Sequence, residues 1–335
     1  MSEPLLSVEG LVVDYQLPRG QLRRALDDVS FNVLAGQTVG LVGESGSGKS
    51  TIARAIVGLA PITAGTVTLG GGAAAAPRQS VQMVFQDPYS SLDPTKTIGY
   101  SVAEPLRVHH GRELGAQEVR ARTEQMLESV GIQASAAKLY PAQFSGGQRQ
   151  RIAIARALIV KPKLVICDEA LSALDLSVQA QIINLLVQLR ETHGISYLFI
   201  SHDLSVVEML CDEVVVLYRG RIAETGPARA VSNRPRHPYT RGLVAAVPEI
   251  DPVARAASRA TRERLRKPVA PAPPLEDSCQ YRHRCVFATE QCEQSRPALR
   301  LTDGPTLVAC HRYEEVARDL DEKAESEIPA MTPQS

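Results

Sequence analysis

The chain has 335 residues, enough for about two domains, and its 37 Lys+Arg against 37 Asp+Glu leave no net charge to draw it to nucleic acid or an anionic membrane. Aromatic residues make up only 4% and tryptophan is absent, which leaves little for base-stacking platforms. No apolar run is long enough to span a bilayer, Met1-Ser2-Glu3-Pro4-Leu5 lacks the basic and apolar regions of a signal peptide, and six cysteines favour thiol, metal or cluster chemistry over disulfides.

Residues 5–15 and 25–42 alternate or run apolar and predict strands of an initial sheet, with Tyr15 ending the first. The run Thr38-Val39-Gly40-Leu41-Val42 reads as a short buried strand, Gly43 to Thr51 as a glycine-rich turn, and residues 51–59 as a helix. Gly65–Leu69 is strand-like, Gly70–Gly72 and Ala73–Ala76 form a low-complexity loop, and Val81–Phe85 is a strand that stops at Gln86-Asp87-Pro88. From 96 to 137 the pattern is helical and charged, with Glu118, Arg120, Arg122 and Glu124 on solvated faces. A helix over 146–160 leads to the buried strand Leu164-Val165-Ile166-Cys167, which ends in Asp168-Glu169. An amphipathic helix over 176–193 and strands at 197–200 and 214–218 follow, and this alternation predicts an α/β core up to about residue 230. Residues 251–275 are first Arg-rich and then Pro-rich, the pattern of a solvated helix and a stiff linker. A small Cys-containing segment covers 279–311, and the acidic tail from Glu314 to Ser335 is expected to fray.

Strand, Gly-rich turn and helix is the context of a phosphate-binding P-loop, here Gly43-Glu44-Ser45-Gly46-Ser47-Gly48-Lys49-Ser50-Thr51. Its backbone N–H groups and the helix N-terminus would face phosphate, Lys49 would reach the β- and γ-phosphates, and Ser50 would bind Mg²⁺. Asp168 and Glu169 arrive at the carboxyl end of a strand, where α/β sheets bind ligands; Asp168 would hold Mg²⁺ through water and Glu169 would polarise the attacking water. Gln86 could reach metal and water, and His202, ending another buried strand, the γ-phosphate. Tyr15 is read either as a base-stacking ring or as a core tyrosine. Phe144-Ser145-Gly146-Gly147-Gln148-Arg149 is a second anion-binding helix start without a lysine, or else an ordinary helix capped by Ser145.

In this order the motifs resemble the ATP-binding subunit of an ABC transporter over roughly residues 5–312. The resemblance implies a P-loop NTPase of RecA-like core, antiparallel β subdomain and helical subdomain (about 96–160), all within an ATPase domain at 5–245. A basic, Pro-rich linker at 246–275, a four-Cys module at 276–313 and a flexible acidic tail at 314–335 would follow. It implies that Tyr15 stacks on adenine, that residues 43–51 are Walker A and Gln86 the Q-loop, and that 145–148 are the signature. Residues 164–168 become Walker B, Glu169 the catalytic base, Ser172-Ala173-Leu174-Asp175 the D-loop and His202 the switch histidine. Two such subunits would close head to tail, the Ser-Gly-Gly of one capping ATP on the other. Phe144 and Ala170 stand where Leu and Pro are commonest, and neither change removes a ligand group.

Three features narrow the branch. Phe85 to Pro94 is similar to the extended Q-loop of oligopeptide, dipeptide and nickel importers, and Arg236-His237-Pro238-Tyr239-Thr240-Arg241-Gly242-Leu243 matches the His-Pro-Tyr segment of that branch. The third is Cys279, Cys285, Cys292 and Cys310, spaced for one tetrahedral thiolate site that Zn²⁺ or an iron–sulfur cluster would suit equally. The resemblance to peptide-importer ATPases favours a [4Fe–4S] cluster, while Cys167 and Cys211 are expected to be inert packing residues. The expected role is an ATPase on the cytoplasmic face of the inner membrane, powering dipeptide or oligopeptide import with no nucleic-acid partner. Its expected partners are two transmembrane permeases, an extracytoplasmic binding protein and a second ATPase subunit, either paralogous or a copy of itself. The alternatives are nickel, glutathione or another small solute as cargo, or a soluble ABC ATPase of DNA repair or translation.

Overall fold

The computed structural model describes residues 3–70, 72–73, 78–87, 91–111, 113–172, 174–248, 251–265 and 277–326. The expected Q-loop residues 88–90, Ala173 of the D-loop, most of the low-complexity loop, the proline-rich half of the linker and the tail from 327 lie outside these. The chain forms two compact units, Met1–Leu41 with Lys49–His202, and Val42–Gly48 with Asp203–Ser335.

In the first unit, β1 (Leu6–Gln16), β2 (Leu22–Val33), β4 (Ala64–Leu69) and β5 (Gly72–Ala73) make an antiparallel sheet in the order β2-β1-β4-β5. The run 25–42, expected to be strand throughout, breaks in two. The Gln37 amide donates to the Leu34 carbonyl at 3.1 Å, the Leu34 amide donates to Gln37 Oε1 at 2.9 Å, and Gly36 turns at φ 72°. That turn releases β3 (Thr38–Val42) into a different sheet. Helix α1 (Lys49–Ile56) starts two residues earlier than its apolar pattern indicated.

The central strands are parallel: β6 (Val81–Val84) pairs with β7 (Leu164–Asp168), which pairs with β8 (Ser196–Ser201). Leu164–Cys167 and all of β8 are buried, the signature of strands covered on both faces, which is why they read as unbroken apolar runs. The helical stretch resolves into α2 (Ile98–His110), α3 (Ala116–Ser129) and α4 (Gly146–Leu158). Helix α5 (Leu176–His193) starts at an Asp175 cap and ends at Gly194, which adopts φ 64°. A parallel sheet delivering Asp168 and Ser201 at its carboxyl ends is what positions the site.

In the second unit, α6 (Leu204–Leu210) precedes β9 (Glu213–Tyr218) and β10 (Arg221–Pro227). The short α7 (Ala228–Asn233), then α8 (Pro238–Ala246) and α9 (Pro252–Leu265), lead to the Cys segment with α10 (Glu290–Gln294), β11 (Arg300–Leu301) and β12 (Leu307–Val308). The strands run β9-β10-β12-β11, with Glu224 opposite Val308 and Thr225 opposite Leu307. The Cys segment therefore completes the sheet begun by residues 213–227.

The acidic stretch expected to fray is helical over α11 (Tyr313–Ser326), with Val316 and Ala317 buried. Its Asp319 pairs with Arg241, which is 2% exposed, and with Arg264 of the basic helix expected to be merely solvated. Burial pushes the Asp319 carboxyl up, but Arg264 and Arg241 outweigh it and hold it below its ordinary range. A depressed carboxylate stabilises the fold above its unfolded value of about 4, and that contribution is lost as pH falls through the folded value. Asp319→Asn should thus cost about 1.5–3 kcal/mol at pH 7, the range for a hydrogen bond to a charged group. The gap in melting temperature to the parent should close as melts are repeated below about pH 4; a gap constant with pH would mean that the carboxylate charge is not what stabilises.

Candidate functional site

The glycine-rich turn belongs to the second unit as far as Gly48. A Cβ on Gly43 would strike the Leu217 carbonyl and sit 2.7 Å from Ser47 Oγ, so only glycine lets the turn close. Gly46 and Gly48 adopt φ 78° and 110°, conformations that glycine reaches without strain. The Ser47 amide donates to the Glu44 carbonyl at 3.1 Å, and the Gly220 amide anchors the Ser47 carbonyl at 2.8 Å. Ser47 Oγ is buried without a hydrogen-bond partner among the described residues, the mark of a group awaiting a ligand. Ser45 and Gly46 are exposed. Glu44 is tied on both sides: its amide donates to the Tyr239 hydroxyl at 2.7 Å, and its carboxylate accepts from Arg284 Nη1 and Nη2 at 2.8 and 3.0 Å.

In the first unit α1 begins with Lys49, Ser50 and Thr51. Lys49 is 4% exposed, with its Nζ 4.0 Å from Glu169 Oε1. Burial pulls its amine below the ordinary range, opposed by Glu169 and then Asp168. Burial likewise pushes Asp168 up, against the Ser50 hydroxyl, which donates to Asp168 Oδ1 at 3.1 Å. A hydroxyl and a carboxylate meeting at one point are hard oxygen ligands that fit Mg²⁺, and the buried ammonium beside them fits phosphate. Glu169 occupies φ 49°, a left-handed conformation that a non-glycine residue keeps only when its surroundings impose it. Here the Ile200 carbonyl accepts its amide at 3.0 Å, while its own carbonyl accepts the Ser172 amide at 3.1 Å and hydroxyl at 3.0 Å. Gln86 Nε2 lies 3.5 Å from Ser172 Oγ.

Lys49, Ser50, Asp168 and Glu169 thus come together as their motifs require, with Gln86 tied to the loop after Glu169. His202 is exposed just past β8, and half-buried Tyr15 faces Arg23 across the antiparallel sheet. Neither hydrogen-bonds to this group among the described residues.

At the candidate second anion site the structure shows the capping reading. Ser145 caps α4 by accepting the Gln148 amide at 3.3 Å, and Gln148 Oε1 accepts the Ser145 amide at 3.0 Å. That capping box occupies the hydroxyl within its own chain and leaves the Gly146 and Gly147 amides at the exposed helix start. A Cβ on Gly147 would lie 2.5 Å from Val178 Cγ1, so glycine here permits close helix packing. Asp175 caps α5, accepting from the Val178 amide at 3.0 Å and the Ser177 hydroxyl at 2.6 Å.

The four-thiolate site takes a different form from the one its spacing implied. Cys310 has the other three cysteines as electrostatic neighbours, and the Cys279 amide donates to the Cys292 carbonyl at 2.9 Å. Yet among the described residues no three His, Cys, Asp or Glu side chains are arranged to hold a metal ion, and no cysteine is in a disulfide. Burial pushes the Cys310 thiol up to about 12, and its sulfur accepts the Arg312 amide at 3.4 Å. Cys167, in β7, is also raised to about 12 by burial, and Cys211 ends α6, in keeping with packing roles.

Sequence reasoning named Ser172 only within the D-loop and Tyr239 only within the His-Pro-Tyr segment, and it missed Arg284. The His-Pro-Tyr segment marked a helix start, with Pro238 at its first turn, but nothing local in it names Glu44 as the partner of Tyr239.

Two family descriptions match, "ABC transporter" over residues 26–172 and "Oligopeptide/dipeptide transporter, C-terminal region" over residues 223–292. The di/tripeptide transport ATP-binding protein DppF of Pseudomonas aeruginosa is 42% identical over 326 residues, covering 93% of this chain and 99% of DppF. The glutathione import ATP-binding protein GsiA of Salmonella typhimurium is 50% identical over 265 residues; the match takes in 75% of this chain but only 42% of GsiA. Among solved structures, the dimeric post-hydrolysis state of the ATP-binding cassette MJ0796 bound to ADP and Pi aligns with TM-score 0.60 and 28% identity, over 67% of this chain and 99% of that one. With a buried Lys49 beside Glu169, a Ser50–Asp168 pair, a capped Ser-Gly-Gly helix and a relative matched nearly end to end, the chain belongs to the ABC transporter ATP-binding proteins, in the branch bearing the oligopeptide/dipeptide C-terminal region.

Proposed function

We propose that this chain binds and hydrolyses Mg²⁺·ATP and thereby powers the import of di- or oligopeptides. The observation that carries the reading is the cluster of Lys49, Ser50, Asp168 and Glu169, with ammonium, hydroxyl and two carboxylates within reach of one another. The glycine-rich loop of residues 43–48 and the Lys49 ammonium hold the phosphates. Ser50, Gln86 and Asp168 would hold Mg²⁺, which would supply the positive charge that offsets the charge building on the phosphates. Glu169 accepts the proton of the attacking water, and His202 steadies the γ-phosphate. Tyr15 stacks on the adenine. The Ser145–Gln148 helix start and Asp175 serve the nucleotide of a second ATPase subunit, a paralogue or a copy of this chain.

The hydrolytic domain is placed at residues 5–245. The chain works peripherally, on the cytoplasmic face, against two permease subunits supplied by an extracytoplasmic binding protein, a reading supported by the ABC-transporter family match; no helix among the described residues is long and apolar enough to cross a membrane. Peptide cargo is supported by the DppF match and by the peptide-transporter description over 223–292. Glutathione is the runner-up, favoured by GsiA and itself a small peptide. The finer part of the reading is that Cys279, Cys285, Cys292 and Cys310 take a [4Fe–4S] cluster, supported by their spacing and by their neighbourhood around Cys310.

The test is to isolate the complex from membranes, identify its binding protein and measure ATP-dependent uptake of labelled dipeptide, tripeptide and glutathione into vesicles. Uptake of peptides with glutathione excluded supports the reading; glutathione alone, or co-isolation with ribosomes or DNA, overturns the cargo or the role. Iron and acid-labile sulfide measured on anaerobically purified chain decide the cluster, about four of each being expected and none overturning it.

A further inference from the structure

Glu44 places a carboxylate in the phosphate loop, where its charge repels a polyphosphate. Two distant stretches of the same unit answer it. Arg284 grips the carboxylate with both guanidinium nitrogens, at 2.8 and 3.0 Å, the fork-on-fork geometry that fixes orientation as well as charge. Tyr239 takes the Glu44 amide on its hydroxyl at 2.7 Å, so this N–H is removed from the phosphate-facing set and the start of the loop is pinned.

Both partners are themselves held rigidly. The rings of Tyr218, Tyr239 and Tyr281 form a cluster with centroids 4.7, 5.1 and 5.7 Å apart. The Arg284 amide donates to the Tyr281 carbonyl at 2.9 Å, and its guanidinium lies 5.8 Å from the Tyr281 ring centroid. Upstream, buried Glu224 accepts the Arg236 and His237 amides at 2.8 and 2.9 Å, and His237 Nδ1 accepts the Tyr239 amide at 3.0 Å. The His-Pro-Tyr turn is thus locked from below, and the tyrosine hydroxyl is presented from it at a fixed height.

We propose that Arg284 and Tyr239 are positioning residues for nucleotide binding: through Glu44 they set the shape of the phosphate loop and cancel its negative charge, which gives the C-terminal segment a direct hold on ATP affinity. Glu44 and Arg284 are 44% and 37% exposed, so the pair adds little to folding stability and its effect falls on the ligand instead. Because Arg284 adjoins Cys285, any rearrangement of the cysteine segment moves the guanidinium.

The proposal rests on the reading of residues 43–51 as the ATP loop, and one experiment separates the two. In the full chain, Arg284→Gln, Tyr239→Phe and the double variant Glu44→Gln/Arg284→Gln are compared with the parent for KM and kcat of Mg²⁺·ATP hydrolysis, equilibrium binding of ADP, and melting temperature. Arg284→Gln is expected to raise KM and the ADP dissociation constant about tenfold, with kcat within about twofold and the melting temperature nearly unchanged. Tyr239→Phe should raise KM about threefold. The double variant should recover most of the affinity, because the uncompensated carboxylate is gone. A merely structural role would lower the melting temperature and would not be rescued by Glu44→Gln. If Arg284→Gln fails to fold, Arg284→Lys, which keeps the charge without the fork, should raise KM about threefold. An unchanged KM in the arginine variants, or a double variant no better than the single, overturns the inference, whereas a parent chain that binds neither ADP nor ATP overturns the ATP-loop reading itself.

Discussion

Glu169→Gln should turn over ATP about 10²–10⁴-fold more slowly than the parent, the range that a positioned general base contributes, while binding ATP at least as tightly. Glutamine keeps the shape of the side chain, so the left-handed backbone at φ 49° and its ties to Ile200 and Ser172 should survive. What goes is the negative charge 4.0 Å from Lys49. Losing it removes the proton acceptor and also a repulsion toward the polyphosphate, so binding and turnover should move in opposite directions. In the presence of Mg²⁺·ATP the variant should accumulate as a closed dimer, read as a shift in size-exclusion elution. Turnover within about tenfold of the parent would move the base elsewhere, with His202 and Gln86 next in line.

Lys49→Met should lose about 10–150-fold in ATP affinity, the equivalent of one charge-assisted hydrogen bond of about 1.5–3 kcal/mol, yet melt within a few degrees of the parent. The ammonium is 4% exposed and burial depresses its protonation, so folding works against its charge wherever the unfolded lysine is protonated, which is everywhere below about pH 10. Removing it relieves that cost. Opposing this, Asp168 and Glu169 lose their shared cation, but Glu169 is 21% exposed and Asp168 keeps the Ser50 hydroxyl at 3.1 Å. The two effects should nearly offset. Titration with ADP and a thermal melt of the same sample check both halves; a large fall in melting temperature would mean that Lys49 is there for the fold, and unchanged affinity that it does not touch phosphate.

The contrast between these residues and Glu44 explains what could be read early. Lys49 and Ser50 follow a glycine turn at fixed spacing, and Asp168 and Glu169 follow a buried run at its carboxyl end. Each was legible because its role depends on neighbours a few residues away. The same locality made the Ser145 cap readable, since a capping side chain bonds to an amide two or three residues on. Where an expectation failed, a distant partner had intervened. The acidic tail looked unable to bury anything, until Asp319 found Arg241 and Arg264 and carried Val316 into the interior. The cysteine spacing implied ligands, but spacing alone does not fix the direction of a sulfur, which depends on how the segment packs.

By itself, then, the sequence determined the glycine-rich turn, the paired carboxylates, the capped Ser-Gly-Gly helix and the alternation of strands and helices, because tight turns, caps and buried strands are written in short-range geometry. Tertiary structure alone decided that residues 34–37 divide one apolar run between two sheets, that the cysteine segment completes the sheet of β9 and β10, and that Arg284 reaches back 240 residues to Glu44. Those outcomes depend on where the chain returns in space, and return paths are fixed by packing of the whole unit rather than by any stretch of residues within it.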